Sequence, residues 1–63
     1  MYKNLDSEQE RKGHSDSVVA EILGLSCVAY QGKKRTGKFL ARECKVLCHL
    51  YDCSFEYLFR VEE

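Results

Sequence analysis

The residues with the clearest chemical potential are the basic ones of segment 32–38, which reads Gly-Lys-Lys-Arg-Thr-Gly-Lys and contains no acidic residue. The chain as a whole is neutral, with ten basic and ten acidic residues, and the acids gather in residues 6–21 and near the C-terminus. DNA-binding domains are usually basic, so the neutral total argues against that role. A local cluster of positive charge can nevertheless hold phosphates in a neutral protein. The alternative interpretation is a solvated basic loop.

Cysteine and histidine side chains form the second group that could do chemistry. Cys44 and Cys48 are four residues apart, Cys53 follows, and His14 and His49 are further candidate zinc ligands. A zinc site needs four ligands that converge tetrahedrally, and the chain has no Cys-x-x-Cys pair. We therefore expect no metal. The N-terminus has no apolar leader-like stretch, which favours a cytoplasmic protein with reduced thiols.

No pattern in the chain indicates an enzyme. Ser, His and Asp do not occur in any recognisable catalytic motif, and no paired carboxylates suggest a cleft. The segment between Gly32 and Gly37 lacks the Gly-Lys-Ser/Thr ending of a phosphate-binding P-loop, and no strand precedes it. We expect no cofactor and no small-molecule substrate. No run of 18 apolar residues exists, so no membrane span is predicted.

The pattern along the chain is helical, and its length of 63 residues allows one domain, residues 1–63. We expect an all-α fold of about five short helices. The first covers residues 4–12, with Asn4 as a candidate N-cap and Gly13 as its stop. Leu5 is its only large apolar residue, so this helix should be weakly held and fray.

The second and third helices are predicted around a short turn. Ser15 or Asp16 caps the second helix, which ends at Gly24, and its buried face should comprise Val19, Ile22 and Leu23. Residues 24–26, Gly-Leu-Ser, form the turn. The third helix starts after Ser26 and should end at Gln31 or Lys33, before the basic loop. Two short helices joined by a three-residue turn that contains glycine are typical of a helix-turn-helix.

The fourth helix should run from about residue 40 to residue 51. A stripe on one side predicts its core face, and the cysteines on it then act as small hydrophobes; the stripe comprises Leu40, Cys44, Leu47, Cys48 and Tyr51. Ser54 can cap a last helix over residues 55–59. The aromatic residues there could serve the core, which we favour, or a dimer interface.

Residues 19–26, Val-Ala-Glu-Ile-Leu-Gly-Leu-Ser, followed by Tyr30, resemble the helix-turn-helix of the Cro and repressor-like (XRE-type) regulators. The ending over residues 47–59 resembles that family too, with an apolar helix, a break and a serine-capped turn closing on Tyr-Leu-Phe. The resemblance spans residues 1–59. It implies a compact, lambda-repressor-like bundle whose third helix enters the major groove of double-stranded DNA. It also implies a transcription regulator of a phage or mobile element, with a homodimer as one option.

Carried over by position, the resemblance implies a set of DNA-contacting residues. Those that would face the bases are Cys27, Val28, Gln31 and Gly32. Ser26 would cap the recognition helix and could touch a phosphate. Those that would track the DNA backbone are Lys33, Lys34, Arg35, Thr36 and Lys38.

The chain departs from the family pattern at several positions. Asp16 stands where the family often has a glutamine that supports the DNA contact, and a carboxylate repels phosphate. Lys33 and Lys34 replace an apolar and an acidic residue, and Gly37 comes late. Glu8 replaces an apolar residue of the first helix.

Few residues of this set can recognise a base specifically. Gln31 can make a bidentate contact with adenine, and Val28 can meet a thymine methyl group. Specific binding would therefore need a dimer on a two-fold site or a partner protein. Poor base readers, zero net charge and Asp16 favour the alternative, a protein-interaction module that kept the fold and lost DNA affinity.

Overall fold

A computed structural model describes residues 1–61, and this part of the chain contains helices and connecting turns without a strand. The five helices are α1 (Lys3–Arg11), α2 (Asp16–Leu23), α3 (Cys27–Thr36), α4 (Ala41–Tyr51) and α5 (Phe55–Leu58). The prediction of a small all-α bundle is confirmed. Over the same residues, no helix has the length and apolar character needed to cross a membrane.

One core receives side chains from all five helices and their ends. The buried apolar residues are Tyr2, Leu5, Val19, Ala20, Tyr30, Leu47, Tyr51, Leu58 and Phe59. Aromatic rings close one side of this core, where Tyr2 meets the edge of Phe59 with ring centroids 5.3 Å apart and Phe39 lies 5.5 Å from the same ring. Edge-to-face pairs of this kind add to the free energy gained by burying apolar area.

Helix α1 is held more firmly than its sequence predicts. Leu5 is fully buried, Tyr2 joins the aromatic cluster just before the helix, and the buried amide of Gln9 accepts a hydrogen bond from the Tyr30 hydroxyl at 2.8 Å. Asn4 is not the N-cap; its side chain donates instead to the Tyr57 carbonyl at 2.8 Å. The expectation of a weakly anchored helix is wrong because an aromatic residue and a buried polar one supplement the single leucine.

The turn between α2 and α3 forms as the sequence predicts. Ser15 caps α2 by accepting from the Val18 amide, and Ser26 caps α3 by accepting from the Ala29 amide at 3.1 Å. Gly24 takes the left-handed conformation, with φ at 74°, which a side chain disfavours. Ile22, expected on the buried face, is 45% exposed. The buried residues of α2 are Val19 and Ala20.

Helix α3 extends to Thr36, well beyond the predicted end at Gln31 or Lys33. The basic segment is therefore mostly the second half of a helix, and the interpretation of residues 32–38 as a loop is wrong. Gly37, with φ at 78°, ends the helix one turn later than expected. Basic residues in the last turn also interact favourably with the negative end of the helix dipole.

Helix α4 has a core face different from the predicted stripe. Leu40 is the N-cap and is 54% exposed, whereas Glu43 is 1% exposed. Leu47 and Tyr51 are buried, and the two cysteines between Glu43 and His49 are half-buried against the core. One oxygen of this buried carboxylate, Oε1, accepts hydrogen bonds from the Leu40 amide and from the Lys33 ammonium.

Candidate nucleic-acid interface

Helix α3 presents one uncovered side, which we call the α3 outer face: Val28, Gln31, Gly32 and Arg35. Positions three and four apart lie on the same side of a helix, and these residues follow that spacing. Val28 is 78% exposed, and Gln31 and Arg35 are exposed as well. Cys27 is half-buried at the edge of this face. Three of the four residues assigned to base contact therefore lie on this face, and the fourth, Cys27, lies beside it.

Gly32 lies in the middle of α3, where glycine is unfavourable by about 1 kcal/mol relative to alanine. No heavy atom outside the helix's own backbone lies within 4 Å of the position that a Cβ would take. Its backbone is also ordinary helix rather than left-handed. Internal packing and backbone conformation therefore give no reason for a glycine at this position.

Lys33 points inward rather than toward a ligand. Its ammonium lies 2.9 Å from Glu43 Oε1, and its side chain is 21% exposed against 2% for the glutamate. The same carboxylate oxygen accepts the Leu40 amide at 2.9 Å. Burial raises the pKa of Glu43, but the Leu40 amide and the Lys33 ammonium outweigh it, so the pKa lies below its ordinary value. Lys33 thus joins α3 to α4.

Lys34 is bound between two acids. Its ammonium lies 2.8 Å from Asp6 Oδ1 and 2.8 Å from Asp16 Oδ1, and it sits 5.1 Å from the centroid of the Tyr30 ring. Burial lowers the pKa of Lys34, but the hydrogen bonds to the two carboxylates have the larger effect. The pKa of Lys34 therefore lies above its ordinary value. This lysine is a cross-link between α1, α2 and α3.

Asp16 is the centre of this polar network. Its Oδ1 accepts from Gln9 Nε2 at 2.7 Å and from Lys34, and its Oδ2 accepts from Gln31 Nε2 at 3.0 Å. The hydrogen bond from Gln9, followed by that from Lys34, lowers the pKa of Asp16 to about 2. The carboxylate is paired with Lys34 rather than isolated beside the outer face.

The remaining predicted phosphate contacts lie on the surface. Arg35 and Lys38 are exposed and form no ion pair within residues 1–61. Thr36 is exposed, with its hydroxyl donating to the Gly32 carbonyl at 2.8 Å, and Ser26 is exposed while capping α3. Among the residues that the structure describes, the basic segment therefore presents two unpaired cations, Arg35 and Lys38, rather than four.

Sequence reasoning missed Gln9, Asp6 and Glu43, which hold Asp16, Lys34 and Lys33 in place. Glu43 had a weak local signal, since a glutamate three residues after an N-cap often bonds back to it. Asp6 lies 28 residues from Lys34 in the chain, and no sequence pattern links them.

A second surface feature is an apolar groove of about 590 Å³ beside α4. Its lining residues are Phe39, Ala41, Cys44, Lys45, Cys48, His49 and Phe55. Burial raises the pKa of the Cys44 and Cys48 thiols, which favours the neutral form. Residues 1–61 contain no group of three or more cysteine, histidine or acidic side chains suited to a metal ion.

Comparison of the chain with family models, with curated proteins and with solved structures finds no match in any of the three.

Proposed function

We propose that the protein is a DNA-binding transcription regulator of a phage or mobile element, acting in the cytoplasm. In this proposal α2 and α3 form a helix-turn-helix, and the α3 outer face enters the major groove of double-stranded DNA. The observation that carries the proposal is this uncovered face, on which Val28, Gln31 and Arg35 surround Gly32. The groove of B-DNA is about 12 Å wide and admits one helix.

Each residue of the α3 outer face has a contact that it can make in the groove. Gln31 can bond adenine, and Val28 can contact the methyl group of thymine. Arg35 lies one turn further along the same stripe, where its guanidinium can pair with guanine or with a phosphate. Gly32 allows the helix backbone to approach the base edges closely, because it has no side chain to hold them apart.

Phosphate contacts come from the ends of α3. Lys38 supplies a charge after the helix, and the Ser26 hydroxyl, which accepts from the Ala29 amide, keeps its own hydrogen for a phosphate oxygen. Thr36 would first have to release the hydrogen bond that its hydroxyl donates to the Gly32 carbonyl. With two unpaired cations in the basic segment, the salt dependence of DNA binding should be shallow, with a slope of about −2 in log K against log salt for a monomer. A homodimer on a two-fold site would roughly double this slope.

The proposal is tested by titrating the protein with DNA duplexes at low salt while recording its backbone amide chemical shifts. Shifts should concentrate in residues 26–38. The double substitution Arg35→Glu with Lys38→Glu should abolish binding to every sequence, and Lys12→Glu with Arg60→Glu is the matched control for charge. A folded wild-type protein that leaves residues 26–38 unshifted at about 50 mM salt contradicts the proposal. Lys34→Glu is unsuitable, since it would place a third acid beside Asp6 and Asp16.

The second candidate is a protein-interaction module without DNA affinity. Two observations favour it. Lys33 and Lys34 both form internal ion pairs and are not available to DNA. In addition, the apolar groove beside α4 is uncovered and is bordered by Phe55, which is 57% exposed. This candidate predicts normal folding and no duplex binding. It also predicts that Phe55→Asp, rather than the Arg35 and Lys38 substitutions, removes a partner recovered by pull-down.

A further inference from the structure

The two oxygens of Asp16 face different parts of the molecule. Oδ1 binds the inward donors Gln9 and Lys34, at 2.7 and 2.8 Å. Oδ2 binds Gln31 Nε2 at 3.0 Å, across 15 residues of sequence. A carboxylate accepts hydrogen bonds and cannot donate them. The side of the Gln31 amide that meets Asp16 must therefore be its NH₂ group.

Gln31 is exposed, and an unrestrained glutamine samples many rotamers and both orientations of its amide. Ordering such a side chain at a binding surface costs conformational entropy. The bond to Asp16 orders it before any ligand arrives. It leaves Oε1 and the second N–H of the amide available to a ligand, in a fixed relation to each other.

We propose that Asp16 is a positioning residue that fixes the Gln31 amide for adenine at one base pair. This inference rests on the proposed DNA-binding function. Adenine offers an amino group to Oε1 and an acceptor nitrogen to the remaining N–H, whereas guanine offers two acceptors in the same places. A free glutamine could turn its amide oxygen away from the second acceptor of guanine; a glutamine held by Asp16 keeps Oε1 facing that acceptor, and the two oxygens repel each other.

Lys34 makes a carboxylate tolerable at this position. Its ammonium is bound to Asp16 and also to Asp6, so the lysine neutralises one of the two carboxylate charges and the three groups keep one net negative charge. Asp16 still adds negative charge near the path of the DNA backbone. The arrangement therefore strengthens discrimination between bases while it weakens sequence-independent binding. Loss of Asp16 should move these two properties in opposite directions.

The test compares Asp16→Ala with Asp6→Ala. Each removes one carboxylate from Lys34, but only the first removes the partner of Gln31. Sites are selected by the wild-type protein from a pool of duplexes with a randomised centre, and the affinities of single base-pair variants are then measured. We expect Asp16→Ala to lose about tenfold in the preference for adenine at one position and to bind random duplex more tightly. Asp6→Ala should keep the preference.

Gln31→Ala identifies the position concerned, and combining it with Asp16→Ala should cause no further loss there. Asp16→Asn keeps the shape of the side chain and guards against misfolding of the alanine variant. Gln9 and Lys34 should take its carbonyl oxygen, so its NH₂ group meets Gln31 and turns that amide round. The adenine preference should then be lost while the Gln31 side-chain amide stays ordered.

The Gln31 side-chain amide resonances give a readout that needs no DNA. They should shift on Asp16→Ala and stay in place on Asp6→Ala. Unchanged resonances, or an unchanged adenine preference in Asp16→Ala, would overturn the role of Asp16. Failure of the wild-type protein to bind any duplex overturns the proposed function instead, so the two failures are distinguishable.

Discussion

The ammonium of Lys33 lies 2.9 Å from Oε1 of Glu43, a residue that is 1% exposed, and this pair joins α3 to α4. The second oxygen of Glu43, Oε2, is buried and forms no hydrogen bond within residues 1–61. Lys33 and the Leu40 amide therefore both bind the other oxygen, Oε1, and Lys33 is the counter-charge of this buried acid. The pair holds the second half of α3 against the bundle. Removing one partner should therefore lower the free energy of unfolding strongly.

Replacing Lys33 by methionine should destabilise the fold by about 3 kcal/mol, because it leaves a buried carboxylate without its counter-charge. The double substitution Lys33→Met with Glu43→Leu should recover most of the loss, since both charges are then gone. Urea unfolding measures both effects. Lys45→Met, on the exposed side of α4, is the control and should change the free energy of unfolding by less than about 0.5 kcal/mol. A double variant no more stable than Lys33→Met would contradict this account.

Gly32→Ala should stabilise the protein by about 1 kcal/mol, because alanine is the better helix former and its methyl group meets empty space. If α3 enters the DNA groove, the same change should weaken duplex binding. Thermal unfolding measures the gain in stability, and duplex titration measures the loss of DNA affinity. Gly24→Ala is the matched control and should destabilise, since φ is 74° there. Stabilisation without any loss of duplex binding would remove Gly32 from the interface.

Acid should weaken the fold through Asp16. Its pKa is depressed from 3.8 to about 2 in the folded protein, so its stabilisation is present above pH 4 and is lost as the pH falls toward 2. The shift corresponds to at most about 2 kcal/mol. Urea midpoints at pH 6 and pH 3 should differ more for the wild-type protein than for Asp16→Asn. Glu43, whose pKa is also lowered, leaves the variant some acid sensitivity. Equal losses in both proteins would show that Asp16 contributes nothing.

Tyr30→Phe should destabilise the protein by about 1–2 kcal/mol, because it leaves the buried Gln9 oxygen without its donor at 2.8 Å. Tyr57→Phe is the control; its hydroxyl makes a longer contact of 3.4 Å to Glu8 at the surface. Chemical unfolding should give a clearly lower free energy of unfolding for Tyr30→Phe than for Tyr57→Phe. Similar values for both would mean that the Tyr30 hydroxyl does not anchor α1.

The sequence by itself determined where helices α2, α3 and α5 begin. Ser15, Ser26 and Ser54 each cap a helix through an amide three residues on, and Gly24 supplies a left-handed backbone at a turn. These features depend on neighbours in the chain, so a local pattern is sufficient to find them. The apolar spacing likewise indicated the all-α class.

Only the tertiary structure decided which charges remain available to a ligand. Lys33 meets Glu43 across 10 residues, Lys34 meets Asp6 across 28, and Gln31 meets Asp16 across 15. Composition counts such charges without pairing them, because a pair forms only when two helices pack at a particular distance and angle. The same packing extended α3 beyond its expected end, and it made Asp16 a partner of Gln31 rather than a bare negative charge on the surface.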